Sequence, residues 1–120
     1  MARILVAEDD LDIARLIQFQ LKYHGYDVVT ASDGAEALEL ARQEKPSLML
    51  IDWMMPVMDG LQAVTALKAD PDLRHIPVIL MTAKAQTQDV QAGLQAGAAA
   101  YLVKPFPLDQ LVKTIQEVLG

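Results

Sequence analysis

Hydrophobic and polar positions follow two regimes that alternate along the chain. Five short apolar runs, Ile4–Ala7, Val28–Ala31, Leu48–Ile51, Ile76–Met81 and Ala99–Val103, are mostly aliphatic or β-branched with little polar alternation. Runs of that length without a polar face predict strands of a parallel sheet covered on both sides. The segments between them carry helical spacing instead. Ile13, Leu16, Ile17 and Leu21 lie on one face of a first helix, and Gly25 supplies a left-handed stop. Asp33-Gly34-Ala35-Glu36 reads as a capping box, with Asp in the usual Ser position. It opens a second helix carrying Ala37, Leu38 and Ala41, which Pro46 closes. Leu61, Val64 and Leu67 mark a third helix ending before Asp70-Pro71. Val90 and Leu94, among many alanines, mark a short and weakly apolar fourth. Leu108, Leu111, Val112, Ile115 and Leu119 mark the fifth, with Pro107 at its first turn.

The order is βαβαβαβαβα. Strict alternation implies a parallel sheet with helices on both faces and right-handed crossovers. Five units predict an open doubly wound α/β sheet, since a closed barrel needs eight. The 120 residues form one domain, 1–120. In such a sheet, ligands bind beyond the carboxyl ends of the strands, where the strand order reverses.

Composition narrows the functions available. With 52% hydrophobic and 22% charged residues, the chain can bury a core. It has no cysteine, which removes disulfide frameworks and thiolate metal sites. No apolar run reaches the roughly 20 residues that span a bilayer. The first residues run straight into a strand and lack a signal-peptide pattern, so a cytoplasmic setting is expected. The net charge is −6, and it lies entirely in the first half. Residues 1–60 hold eleven acids against five Lys and Arg, whereas residues 61–120 hold five of each. An acidic chain lacks the basic surface that phosphate contacts require, so no direct nucleic-acid binding is expected.

The strand ends carry the chemistry. The first apolar run leads into Glu8-Asp9-Asp10, the third into Asp52, the fourth into Thr82-Ala83 and the fifth into Lys104-Pro105. Neighbouring strands would gather carboxylates, a hydroxyl and an ammonium on one rim. Two carboxylates about 4 Å apart repel by roughly 4 kcal/mol at an effective dielectric of 20, so such a cluster calls for a cation. An all-oxygen donor set favours a hard ion such as Mg²⁺. A carboxylate nucleophile, Mg²⁺, Lys and Thr together suggest phosphoryl transfer to Asp52. Other features read more plainly. Asp10 either caps the first helix or adds a ligand, and the cap is the better reading. Asp59-Gly60 reads as a turn with an N-cap. Trp53 and Met55, in an exposed loop, read as packing residues, and His24 and His75 as surface histidines.

The ordered set of Glu8, Asp9, Asp52, Met55-Pro56, Asp59-Gly60, Thr82-Ala83, Tyr101 and Lys104-Pro105-Phe106 resembles a response-regulator receiver domain, the CheY-like module of two-component signalling. Thirty residues separate Asp52 from Thr82, and twenty-two separate Thr82 from Lys104, as in that family. The resemblance covers essentially the whole chain. It implies a flavodoxin-like (βα)5 fold with strand order 2-1-3-4-5. It makes Asp52 the phosphoacceptor. Glu8, Asp9, Asp52 and the Met54 backbone carbonyl would hold Mg²⁺. Lys104 would pair with the phosphoryl group, while Thr82 and the Ala83 amide would bind its oxygens. Tyr101 would be the switch aromatic, and the Lys104-Pro105 bond would be cis. The implied donor is a sensor histidine kinase or a phosphotransfer protein. The face formed by helix four, strand five and helix five would report to an output domain or target not identified by the sequence. No enzymatic activity is expected beyond the domain's own phosphoryl transfer and autodephosphorylation.

Asp52-Trp53-Met54-Met55-Pro56 is similar to PhoB/OmpR-type receivers, but the output face departs from them. Gly97-Ala98-Ala99-Ala100 brings no acid before Tyr101, and the last helix offers Gln110 and Thr114 where an acid and an arginine are expected. A monomer or weak dimer is therefore expected over a salt-bridged dimer. Three rival functions fit less well. An Mg²⁺ phosphatase needs a substrate pocket and a separate general acid. A flavin carrier needs a phosphate loop where Glu8-Asp9-Asp10 would repel phosphate. A degenerate receiver acting only as a binding module would not need Glu8, Asp9, Asp52, Thr82 and Lys104 together.

Overall fold

The computed structural model describes residues 2–83 and 87–120. The elements run β1 (Arg3–Ala7), α1 (Leu11–Tyr23), β2 (Asp27–Ala31), α2 (Gly34–Glu44), β3 (Leu48–Asp52), α3 (Gly60–Ala69), β4 (Val78–Thr82), α4 (Thr87–Ala96), β5 (Ala100–Val103) and α5 (Leu108–Leu119). All strand pairs are parallel, in the order β2-β1-β3-β4-β5. This is the flavodoxin-like fold. The order reverses at β1, which has β2 on one side and β3 on the other, so the crevice lies past Ala7 and Asp52.

The period of two along each strand divides the core into two layers. Leu5, Ala7, Met49, Ile51, Val78 and Leu80 face α2 and α3, meeting Ala37, Leu38, Ala63, Val64 and Leu67. Ile4, Val6, Leu48, Leu50, Ile79 and Met81 face α1 and α5, meeting Ile17, Leu21, Leu111, Val112 and Ile115. Both faces are dry at β1, β3 and β4, which is why these strands show no polar alternation, whereas the edge strands β2 and β5 are partly exposed. The run beginning at Ile76 becomes strand only at Val78. Pro77 has no N–H for the ladder, but its carbonyl accepts from Met49 N at 3.0 Å, and Ile76 is buried all the same.

Side chains fix the helix starts. Asp10 accepts from the amides of Asp12 and Ile13 at 3.0 and 3.2 Å, so it caps α1. Asp33 accepts from Glu36 N at 2.8 Å, but the Glu36 carboxylate takes the amide of Ser32 and not that of Asp33. The expected box at α2 is therefore shifted by one residue. The reciprocal box stands at α3, where Asp59 and Gln62 each accept the other's amide at 2.8 and 3.0 Å. The fourth helix also differs from expectation. Leu94 is exposed, and the buried position is Gly93, with Ala92 and Ala96 packed half-buried against the core. Among the described residues, no helix is long and apolar enough to cross a membrane.

Candidate functional site

Parallel pairing brings the predicted residues to one edge. Glu8 follows β1, and its amide donates to Ala31 O at 3.0 Å, continuing the β1–β2 ladder by one residue. Asp52 is the last residue of β3. Thr82 ends β4, and the Lys104 amide donates to its carbonyl at 2.8 Å, so β5 delivers the lysine beside it. The Lys104-Pro105 bond is cis. Glu8, Asp52 and Thr82 are buried, whereas Asp9 is exposed.

Glu8, Asp9 and Asp52 each offer a carboxylate oxygen, and these three lie within 4.8 Å of one another. Lys104 Nζ donates to Glu8 Oε1 at 2.6 Å and stands 3.2 Å from Asp52 Oδ2. The ammonium thus rests between the two buried carboxylates, offsetting the repulsion that their proximity creates. The second Glu8 oxygen accepts from Asp10 N at 3.3 Å. Burial is the largest influence on Glu8 and raises its pKa, with the hydrogen bond to Asp52 acting the same way. Burial alone would lower the pKa of Lys104, but the hydrogen bond to Glu8 and the charge of Asp52 outweigh it and raise the pKa. A cluster with three carboxylate oxygens and no sulfur or imidazole fits a hard divalent cation.

The loop after Asp52 folds back onto the strand end. The Gly60 amide donates to Trp53 O at 2.8 Å, and a Cβ on Gly60 would stand 2.6 Å from Asp52 O and 2.7 Å from Trp53 Cα. Gly34 donates to Met58 O at 3.2 Å and meets the same loop with similar closeness. The Asp59-Gly60 pair read as a capped turn is therefore also a close-approach site. The glycine directly after a capping acid was its only signal in sequence. Trp53 and Met55 are packing residues as expected, but they are 5% and 9% exposed and do not lie in an exposed loop. Met54, between them, is the open one at 61%.

Tyr101 is half-buried on β5, opposite Leu80 in register, and packs against the core layer on that side. Its hydroxyl oxygen is buried and has no hydrogen-bond partner among the described residues. Burial raises its pKa, and the charge of Asp89 adds to this. Beside the rim, an apolar groove of about 410 Å³ runs between α1 and the turn after β5. Ile13, Leu16, Ile17, Phe106 and Leu108 line it, and Ala83 and Lys104 join it to the acidic cluster. His24 and His75 are exposed, as expected of surface histidines.

The family model for the response regulator receiver domain matches residues 4–116. The chain belongs to that family. It is 44% identical over 118 residues to the transcriptional regulatory protein PrrA of Mycobacterium bovis, covering 98% of this chain and 49% of PrrA. The receiver therefore spans about half the length of that relative. The chemotaxis protein CheY4 of Vibrio cholerae superposes with a TM-score of 0.93 at 35% identity, covering 98% of each chain. The receiver domain of the sensor histidine kinase PA1611 from Pseudomonas aeruginosa, with a magnesium ion coordinated in its active-site cleft, superposes with a TM-score of 0.91 at 34% identity. That match covers 99% of this chain and 98% of PA1611's receiver domain. Receivers of this family accept phosphoryl groups from histidine kinases in two-component signalling.

Proposed function

We propose that residues 1–120 act as one cytoplasmic receiver whose Asp52 accepts a phosphoryl group from a histidine kinase or phosphotransfer protein. The observation that carries this reading is the buried Asp52 carboxylate, held against Glu8, Asp9 and Lys104 at the carboxyl ends of β1, β3 and β5. A carboxylate oxygen of Asp52 attacks phosphorus as the donor histidine's P–N bond breaks, giving an aspartyl phosphate. Bound Mg²⁺, held by Glu8, Asp9, Asp52 and the Met54 carbonyl oxygen, would neutralise charge on the phosphoryl oxygens. Lys104 exchanges Asp52 for the incoming phosphoryl oxygens, while its link to Glu8 keeps it aimed. The Thr82 hydroxyl and the Ala83 amide donate to the same oxygens. The hydroxyl-bearing ring of Tyr101 moves with Thr82, carrying the change to the face of α4, β5 and α5. The groove along α1 offers the donor protein apolar surface beside the site. Chemistry beyond this transfer is limited to autodephosphorylation.

Mass spectrometry after treatment with acetyl phosphate and Mg²⁺ tests the assignment. One phosphoryl mass is expected, and Asp52→Asn should abolish it. Labelling that persists in that variant would refute Asp52 as the acceptor.

A further inference from the structure

The inner side of α4 presents Gly93 where a buried aliphatic residue would ordinarily sit. Glycine inside a helix costs about 1 kcal/mol relative to alanine. Gly93 is not among the glycines with positive φ, so conformation does not require it. Space does. A Cβ there would stand 2.9 Å from Leu80 Cδ1 and 3.5 Å from Trp53 Cζ3.

Trp53 is the chain's one tryptophan and directly follows Asp52. It is buried, and its backbone is tied on two sides. Its amide donates to Met81 O at 2.8 Å, and its carbonyl accepts from Gly60 N at 2.8 Å. The peptide after Asp52 is thus fixed between β4 and the start of α3, while the indole reaches the underside of α4. Leu80 lies under Gly93 as well, and among the described residues the helix packs its small Ala92 and Ala96 against the core. An element held this lightly moves at low cost.

We infer that Trp53 is a positioning residue: its indole, beside Leu80, forms the seat on which α4 rests at Gly93, and it joins Asp52 to α4 by a route separate from Thr82 and Tyr101. The proposal rests on the reading of Asp52 as phosphoacceptor for its signalling role, but the seat itself exists in the resting chain. A displacement of the peptide after Asp52 moves the ring. With no Cβ at Gly93 to hold a gap, the helix follows.

The test uses the whole chain with Trp53→Leu, Gly93→Ala and the double variant. Amide exchange is measured over residues 88–96, with and without beryllofluoride and Mg²⁺. In the native chain, exchange in α4 should change at least about fivefold on adding the probe. In Trp53→Leu and in Gly93→Ala, acetyl phosphate should still label the chain, but the α4 response should shrink below about twofold. In the resting state, Gly93→Ala should shift the tryptophan emission and speed α4 exchange. The same methyl added to Trp53→Leu should do much less to α4 exchange, because the smaller side chain leaves Leu80 Cδ1, the atom the methyl meets first, room to give way. An α4 response of native size in both single variants, or a Gly93→Ala chain with native emission and exchange, overturns the proposal. If Trp53→Leu does not fold, Trp53→Phe takes its place. Failure of acetyl phosphate to label the native chain strikes the Asp52 reading instead, and the resting-state comparison still judges the seat.

Discussion

Lys104 is the residue on which the rim depends. It places one positive charge against two buried carboxylates, and removing it leaves both uncompensated. Lys104→Met should cost about 3 kcal/mol at neutral pH, the scale of a broken buried ion pair. The pH dependence follows from Glu8, whose pKa is raised by burial and rises further without the lysine that opposes the shift. A carboxyl with a raised folded pKa contributes stability that is fully present below its unfolded pKa and is lost as pH rises through the folded value. The variant should therefore lose least near pH 4 and progressively more toward pH 7. Urea unfolding at a series of pH values measures this, and a deficit that is flat with pH would contradict it.

At the scale of elements, the turn from β3 into α3 holds the acceptor in place. Its two signals act differently. Asp59 caps the helix with a reciprocal box, and Asp59→Ala should cost about 1 kcal/mol. Gly60 meets the backbone of Asp52 and Trp53 at distances no Cβ can occupy, and neither is a flexible side-chain tip that can yield. Gly60→Ala should cost about 3 kcal/mol, as overpacking does, and should also slow labelling of Asp52 because the strand end must shift. Thermal unfolding and acetyl phosphate labelling separate the two variants. Equal losses of stability would show that only the cap matters. The caps of α1 and α3 were legible from single residues, since a capping acid acts within three positions of itself. The inner side of α4 was not, because the space at Gly93 is taken by Leu80 and bounded by Trp53, forty positions earlier.

Over the whole molecule, the acidic excess of the first half has a local cause in part. Glu8, Asp9 and Asp52 belong to one cluster, and Lys104 comes to it from the other half. A cation bound only by the folded chain stabilises it by mass action, about 2.7 kcal/mol at one hundred times its Kd. Added Mg²⁺ should raise the melting temperature of the native chain by several degrees. Asp9→Asn should remove that increase while still folding, since Asp9 is exposed. An undiminished increase in Asp9→Asn, followed by calorimetry, would place the ion elsewhere.

The alternation of apolar runs and helical spacing determined, from sequence alone, five parallel strands under two layers of helices. Burial on both faces leaves that mark most fully on the inner strands β1, β3 and β4. It also put Glu8, Asp52, Thr82 and Lys104 at strand ends, because a parallel sheet gathers its carboxyl ends on one edge. Only the tertiary structure decided the rest. Periodicity carries no distances across the chain, so it did not separate buried Glu8 from exposed Asp9, two neighbours in sequence. It did not pair Lys104 with Glu8, a contact across 96 positions. Nor did it show that Trp53 turns inward beneath Gly93. Those outcomes depend on which side chains share a volume, and that is set when the sheet closes under its helices.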